Sequence, residues 1–213
     1  MYVKNKFKSL LPVAIFLIVF YAVDIFRLYL EHITHFHIDR IFTWLIPTLL
    51  FITFVLKKNP FDYLKLRSDV KKGVFWGIII SIIHVFLYCS LRYLWNNELA
   101  VNFNLTFGTF WDVILTVGLV EEIVFRGLVL HNLNEIFSFK TSNILSATLF
   151  LIAHIPYWYF GKQFSLPVVY IIYDFFFIFI FGLLEGLFVK KTNSLWTCII
   201  HHSFNNALVT IVK

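Results

Sequence analysis

The stretch Gly118-Leu-Val-Glu-Glu-Ile-Val-Phe-Arg-Gly127 places two adjacent carboxylates and one arginine inside a run of apolar residues. From residue 113 to residue 130 nearly every uncharged side chain is Val, Ile, Leu or Phe, a pattern typical of a membrane-spanning helix. Each charged group costs roughly 2.5–3.5 kcal/mol at the centre of a bilayer, so the three together offset the stabilisation from the apolar residues. We therefore expect these charges to face protein or water, which indicates a functional site.

The two glutamates of this stretch differ in the partner that helical geometry gives them. Glu122 precedes Arg126 by four residues, the favourable order for an ion pair along a helix. Glu121 lies about 100° around the helix and shares its face with Phe125. We expect Arg126 to neutralise Glu122 and to leave Glu121 free for chemistry. The alternative is a buried ion-pair network with a structural role alone.

The composition places the chain among polytopic membrane proteins. It has 213 residues, of which 60% are hydrophobic and 14% are charged, and the apolar residues occur in long runs. The net charge of +6 comes mainly from short basic loops, which indicate orientation in a membrane and give no basis for nucleic-acid binding. We predict an all-α fold in which residues 1–213 form a single integral membrane domain, a helical bundle in the lipid bilayer.

Seven apolar segments are predicted to be transmembrane helices. With seven crossings, twelve lysines and arginines lie on the same side of the membrane as the amino terminus, and five lie on the opposite side. This bias predicts a multi-pass protein with a cytoplasmic amino terminus, and it places Arg40 in an outer loop. The predicted segments are 9–30, 41–57, 73–94, 109–134, 143–160, 166–189 and 194–212.

The fifth and seventh segments add histidines to the interior of the bundle. His154 follows Phe150 by four residues, so the two side chains share a helix face. The seventh segment has two such pairs, His202 with Asn206 and His201 with Asn205, about 100° apart around the helix. We expect one pair to face inward because polar side chains are costly in lipid, but the spacing does not decide which.

Carboxylate, imidazole and amide groups on three helices together predict hydrolytic chemistry. A carboxylate beside an imidazole either activates water as a general base or binds a divalent metal ion. A second histidine and an amide are suited to stabilising an oxyanion. We infer hydrolysis of a carbonyl compound inside the membrane.

Three motifs resemble those of the CPBP family, also called Abi or CAAX-type intramembrane proteases. They are Glu121-Glu-xxx-Arg126, Phe150-xxx-His154 and His202-xxx-Asn206, and they occur in the family's order on predicted membrane helices. The resemblance covers the chain from about Thr109 to residue 213, and the first three segments carry no motif.

The resemblance implies a role for each motif residue. Glu121 would activate the attacking water, and His154 would share that water. His202 and Asn206 would stabilise the oxyanion, which favours this pair over His201 and Asn205. The supporting residues for the first glutamate would be Glu122 and Arg126.

The family has been described both as metalloproteases and as glutamate-dependent proteases. A divalent metal ion such as zinc is therefore the cofactor to consider, and Glu121, His154 and His202 would be its ligands.

The leading hypothesis is an intramembrane endopeptidase that cleaves a membrane-associated peptide or protein in a bacterial plasma membrane. Bacterial members of the family suggest bacteriocin processing or self-immunity. One alternative is a non-enzymatic membrane immunity or scaffold protein that retains the protease fold. A proton-coupled transporter is disfavoured because inverted repeats are not visible in the sequence. For Asp24, His84 and Glu185, which also lie in predicted segments, we expect local hydrogen bonds or positions near helix ends.

Overall fold

The computed structural model describes the backbone of residues 2–161 and 163–212 and the side chains from residue 10 onward, except those of residues 162, 163 and 213. This part of the chain contains seven long helices and no β-strand, which confirms the predicted all-α class. The helices are α1 (Tyr2–Thr34), α2 (Ile41–Val55), the short α3 (Pro60–Tyr63), α4 (Val70–Asn96), α5 (109–134), α6 (Phe139–Phe160), α7 (Val168–Thr192) and α8 (Trp196–Ile211).

Three of these helices are long and apolar enough to cross a membrane. They are Leu10–Thr34 within α1, then α4 and α7, with mean hydropathies of 2.2, 2.2 and 2.1. They coincide with the first, third and sixth predicted segments. Helices α2, α5, α6 and α8 coincide with the other four segments, for which crossing of the membrane stays a prediction.

Large apolar side chains cover the outer faces of the three long apolar helices. Ile18 on α1, Phe86 on α4 and Ile172 on α7 are 70%, 70% and 63% exposed. Soluble monomers rarely expose contiguous apolar surfaces of this extent. These faces therefore suit contact with lipid chains, and the chain is an integral membrane protein.

Helix α5 lies at the centre of the bundle. Val120, Val124, Phe125 and Leu128 on this helix have no exposed surface, and they belong to two apolar clusters on its two sides. Since the central turns of α5 are enclosed, every charged side chain on them needs a partner within the protein.

Two glycines allow the helices around α5 to approach closely. A Cβ atom at Gly118 would lie 2.5 Å from the Ser203 hydroxyl and 2.9 Å from its backbone nitrogen, so α8 contacts α5 directly beside His202. At Gly182 on α7 a Cβ atom would lie 3.1 Å from Cβ of Ala147 on α6. This close packing brings polar side chains of α5, α6 and α8 within reach of one another.

The helical pitch changes three times along α5, the last time at Leu130, where the α-helix resumes. The turn Val117–Glu122 is α-helical, whereas Thr109–Thr116 and Ile123–Val129 are wider π-helical segments. Such wider turns occur frequently at functional sites. Glu121 and Glu122 are the last two residues of the α-helical turn that separates the two wider segments.

Candidate active site

Glu121 presents one bonded and one unbonded carboxylate oxygen. Its side chain is 4% exposed, and Oε1 accepts a hydrogen bond from Nη1 of Arg40 at 3.0 Å. The other oxygen, Oε2, has no hydrogen-bond partner among the described residues. A buried carboxylate oxygen without a donor is costly unless water or a ligand approaches it.

Two histidines from different helices face this unbonded oxygen. Nε2 of His154 on α6 lies 4.0 Å from Glu121 Oε2, and Nε2 of His202 on α8 lies 3.8 Å from it. These separations are too long for direct hydrogen bonds and suit a small molecule between the groups. The expected convergence of Glu121, His154 and His202 is confirmed.

The outer nitrogens of both imidazoles are fixed by acceptors. Nδ1 of His154 lies 2.9 Å from the carbonyl oxygen of Phe150, and Nδ1 of His202 lies 2.7 Å from Oε1 of Glu122. Because these oxygens only accept, each Nδ1 carries a proton, and each Nε2 is directed toward Glu121.

Glu122 forms the predicted ion pair. Its carboxylate is fully buried, and Nη1 of Arg126 lies 3.1 Å from its Oε1. The Arg126 guanidinium also lies over the Phe150 ring, 4.2 Å from the centroid. The predicted Glu122–Arg126 pair is therefore confirmed, and both charges are enclosed by protein.

Glu121 keeps one oxygen without a partner among the described residues, but it also has a cationic partner that its spacing from Arg126 did not predict. Arg40, placed by the charge bias in an outer loop, folds back onto Glu121 from a position 81 residues earlier in the chain. The contact depends on how α2 docks against α5, and helical spacing on α5 alone contains no signal for it.

A cavity of about 510 Å³ borders Glu121, His154 and Asn206. Its volume lies within the usual range for ligand-binding sites. Asn206 donates one Nδ2 hydrogen to the Val113 carbonyl oxygen at 3.0 Å. A primary amide has a second hydrogen, so Asn206 keeps a donor for the cavity. Residues of α1, α2, α5, α6 and α8 line this space.

His201, the neighbour of His202, belongs to a second buried cluster. Its Nδ1 lies 2.5 Å from Oε1 of Glu185 on α7, and its Nε2 lies 2.9 Å from Nδ1 of His84 on α4. At least one histidine of the pair was expected to face inward, and His201 and His202 are both buried.

The interpretation of His84 and Glu185 as locally bonded residues is also wrong. Both pair with His201 across helix interfaces, 117 and 16 residues away in the chain. Asp24 does form a local bond, accepting from Nε of Arg27 at 2.9 Å. The sequence pattern indicates that polar side chains on α4, α7 and α8 are buried, but it does not indicate which residues they contact.

The donor types at the site fit a divalent metal ion as well as a water molecule. Two imidazole nitrogens and a carboxylate oxygen are usual zinc ligands, and fixed Nδ1 protons are common in metal-binding histidines. A separate group of possible ligands consists of Glu122, Glu185 and Cys198, whose donor atoms lie within 4.8 Å of one another. All three residues are fully buried, and none of them borders the cavity.

A comparison with protein families matches this half of the chain. The family described as Type II CAAX prenyl endopeptidase Rce1-like matches residues 102–208. The matched region contains all the motif residues of α5, α6 and α8 and excludes Arg40 and His84. Searches of curated proteins and of solved structures find no match.

Proposed function

The chain belongs to the Rce1-like family of type II CAAX prenyl endopeptidases, and from this premise we propose that Glu121 activates water for peptide-bond cleavage within the membrane. The unpartnered Oε2 of Glu121, 3.8 and 4.0 Å from two imidazole nitrogens, is the observation that supports this role. A water molecule in this space lies within reach of a base and of a group that orients it.

In the proposed reaction, Glu121 takes a proton as the water oxygen attacks the carbonyl carbon of the substrate. His154 orients the water through its Nε2 lone pair. The tetrahedral intermediate collapses as the C–N bond breaks, and Glu121 returns the proton to the leaving amine nitrogen. The attack therefore needs no covalent enzyme intermediate.

His202 and Asn206 are proposed to stabilise the oxyanion. His202 in its imidazolium form donates through Nε2 while Glu122 holds Nδ1 at 2.7 Å. Asn206 borders the cavity, and its second amide hydrogen is proposed to donate to the same oxyanion. Arg126 compensates the charge of Glu122, so the carboxylate that fixes His202 stays buried and ionised.

A divalent ion is the second way to activate the same water. If zinc binds, Glu121, His154 and His202 would hold it, and the ion would supply Lewis acidity. Dialysis against a zinc chelator followed by an activity assay separates the two forms of catalysis. Full activity of metal-depleted protein supports the glutamate-dependent form, and loss that zinc restores supports the metal-dependent form.

We propose a membrane-associated peptide or protein as the substrate, in bacteriocin processing or self-immunity. The test is a liposome assay with two quenched-fluorescent peptides, one with a farnesylated CAAX terminus and one without the prenyl group. Membrane peptides of cells carrying wild type or Glu121→Gln are compared in parallel. Cleavage that requires Glu121 supports the proposal. Identical peptide profiles, together with inert probes, would instead favour a non-enzymatic immunity or scaffold role.

We infer seven membrane crossings with the amino terminus in the cytoplasm. This orientation directs the catalytic cavity to the outer side, where it reaches the partly exposed side chains of His37 and Asp112. Reporter fusions before α1 and after α8 check it: the first is expected to be active only inside and the second only outside. Two cytoplasmic ends would contradict the predicted number of crossings.

A further inference from the structure

Arg40 connects the amino-terminal helices to the catalytic glutamate. It lies immediately before α2, and its Nη1 donates to Oε1 of Glu121 at 3.0 Å. The side chain is 18% exposed and borders the 510 Å³ cavity. The family match covers residues 102–208, so Glu121 lies inside the matched region and Arg40 lies outside it.

The guanidinium of Arg40 is held by a buried aromatic side chain. Its central carbon lies 5.3 Å from the centroid of Trp44, which is 2% exposed. The indole N–H of Trp44 donates to Oδ1 of Asp24 at 2.7 Å, and Asp24 also pairs with Arg27 at 2.8 Å. Arg40 therefore rests on an indole that α1 fixes in place.

The backbone on both sides of Arg40 is also anchored. The Ile38 amide donates to Oε1 of Glu31 at 2.8 Å, and the Ile41 amide donates to Oδ1 of Asp39 at 2.8 Å. Glu31 is in turn bonded to Arg27 on α1. The loop that carries Arg40 is thus bonded to α1 independently of its contact with α5. The Arg40 guanidinium therefore needs little reorganisation to contact Glu121.

The consequence for Glu121 concerns the direction of its carboxylate. The terminal torsion of a glutamate is broad, so a carboxylate without a fixed partner turns either oxygen toward a cavity. A charge-assisted bond to one oxygen restricts this rotation. With Oε1 on Arg40, Oε2 is the oxygen that faces His154 and His202.

We propose that Arg40 is a positioning residue of the hydrolytic reaction, which holds Oε1 of Glu121 so that Oε2 meets the attacking water. This inference rests on the proposed function of Glu121. Charge compensation alone is a smaller role, and a lysine would perform it equally well. A guanidinium differs because its plane rests on the Trp44 ring, which fixes the direction of the Nη1 donor toward Oε1, whereas a flexible ammonium is not held in this way.

The experiment compares Arg40→Ala and Arg40→Lys with the wild type in liposomes, using the farnesylated CAAX peptide as the probe. Arg67→Ala is the matched control, because Arg67 is 63% exposed and pairs with Asp62 away from the cavity. We expect kcat of Arg40→Ala to fall about 100-fold, the size of effect that a misplaced reacting group produces. KM should stay close to the wild-type value, and Arg67→Ala should leave both constants unchanged.

Two further measurements distinguish an effect of Arg40 on the orientation of Glu121 from an effect of its charge or of its contribution to folding. Arg40→Lys should keep wild-type abundance and still have a reduced kcat, and added guanidinium ion should partly restore Arg40→Ala. A wild-type kcat in Arg40→Lys would overturn the proposal, as would a loss in Arg40→Ala that appears only in KM or that guanidinium ion does not restore.

A thermal double-mutant cycle tests the contact independently of activity. Arg40→Ala and Glu121→Gln should each shift the melting temperature in detergent, and the double variant should shift it by less than their sum. Additive shifts would overturn the proposal. A wild type that cleaves neither probe peptide contradicts the proposed function, while the cycle still decides whether Arg40 holds Glu121.

Discussion

Two adjacent histidines on α8 enter two different environments. His202 has Nδ1 on Glu122 and directs Nε2 toward Glu121, beside the cavity. His201 has both ring nitrogens engaged, one by Glu185 and one by His84, and it does not border that cavity. Unpartnered carboxylate oxygens occur in both clusters, on Glu121 and on Glu185. The first cluster therefore differs from the second in two ways: Glu121 borders the cavity, and His202 has a ring nitrogen without a hydrogen-bond partner among the described residues. These differences support the proposal that the first cluster is the reactive one.

The largest effect is expected from the carboxylates of the two clusters. Glu121→Gln should lower kcat about 10³-fold or more, because the amide keeps the shape and loses the base. Glu185→Gln should leave kcat within about threefold, since no reacting group is lost. Both variants should reach near-wild-type membrane levels. Comparable losses in the two variants would show that the clusters act together.

Arg126→Ala should reduce stability more than catalysis per folded molecule. It leaves the buried carboxylate of Glu122 without its ion pair, which typically costs about 3–5 kcal/mol. Membrane abundance and melting temperature should both fall. The double variant Glu122→Gln with Arg126→Met should recover much of the abundance, because neither charge is then left alone. No recovery would mean that Arg126 stabilises the bundle by packing on Phe150.

The histidines themselves give the next contrast. His202→Gln should lower kcat about 100-fold or more through loss of an oxyanion donor, with abundance largely retained. His201→Gln should lower the melting temperature and leave kcat per folded molecule unchanged. Assays normalised to folded protein compare the two directly. The reverse pattern would assign catalysis to His201.

His84→Phe is expected to have the smallest effect. It removes the hydrogen bond to Nε2 of His201 and leaves that buried nitrogen unpartnered, at a cost of about 1–3 kcal/mol. The melting temperature should fall slightly at unchanged kcat. A reduced kcat would connect the second cluster to the reaction.

The sequence predicted much of the local architecture. All seven long helices coincide with predicted segments, because apolar runs of about 20 residues are unambiguous. The Glu122–Arg126 pair followed from spacing along one helix, and the motif residues converge as expected.

The contacts between helices were not predictable in the same way. Spacing on a helix fixes directions relative to that helix alone, while the docking angle selects the partner. The wider turns of α5 shift these directions further. Helical spacing therefore does not reveal that Arg40 contacts Glu121, or that His84 and Glu185 contact His201.

The position of α8 in the chain has a consequence for biogenesis. His201 and His202, the imidazole partners of Glu185 and Glu122, are synthesised only after α7 and α5 have left the ribosome. Until α8 inserts, each of these carboxylates lacks its histidine, and α5 also lacks the close contact at Gly118. The earlier helices therefore form an incomplete intermediate, in which Glu185 and Glu122 have not yet met their histidine partners. The addition of α8 supplies both histidines and brings His202 beside Glu121 in the same step.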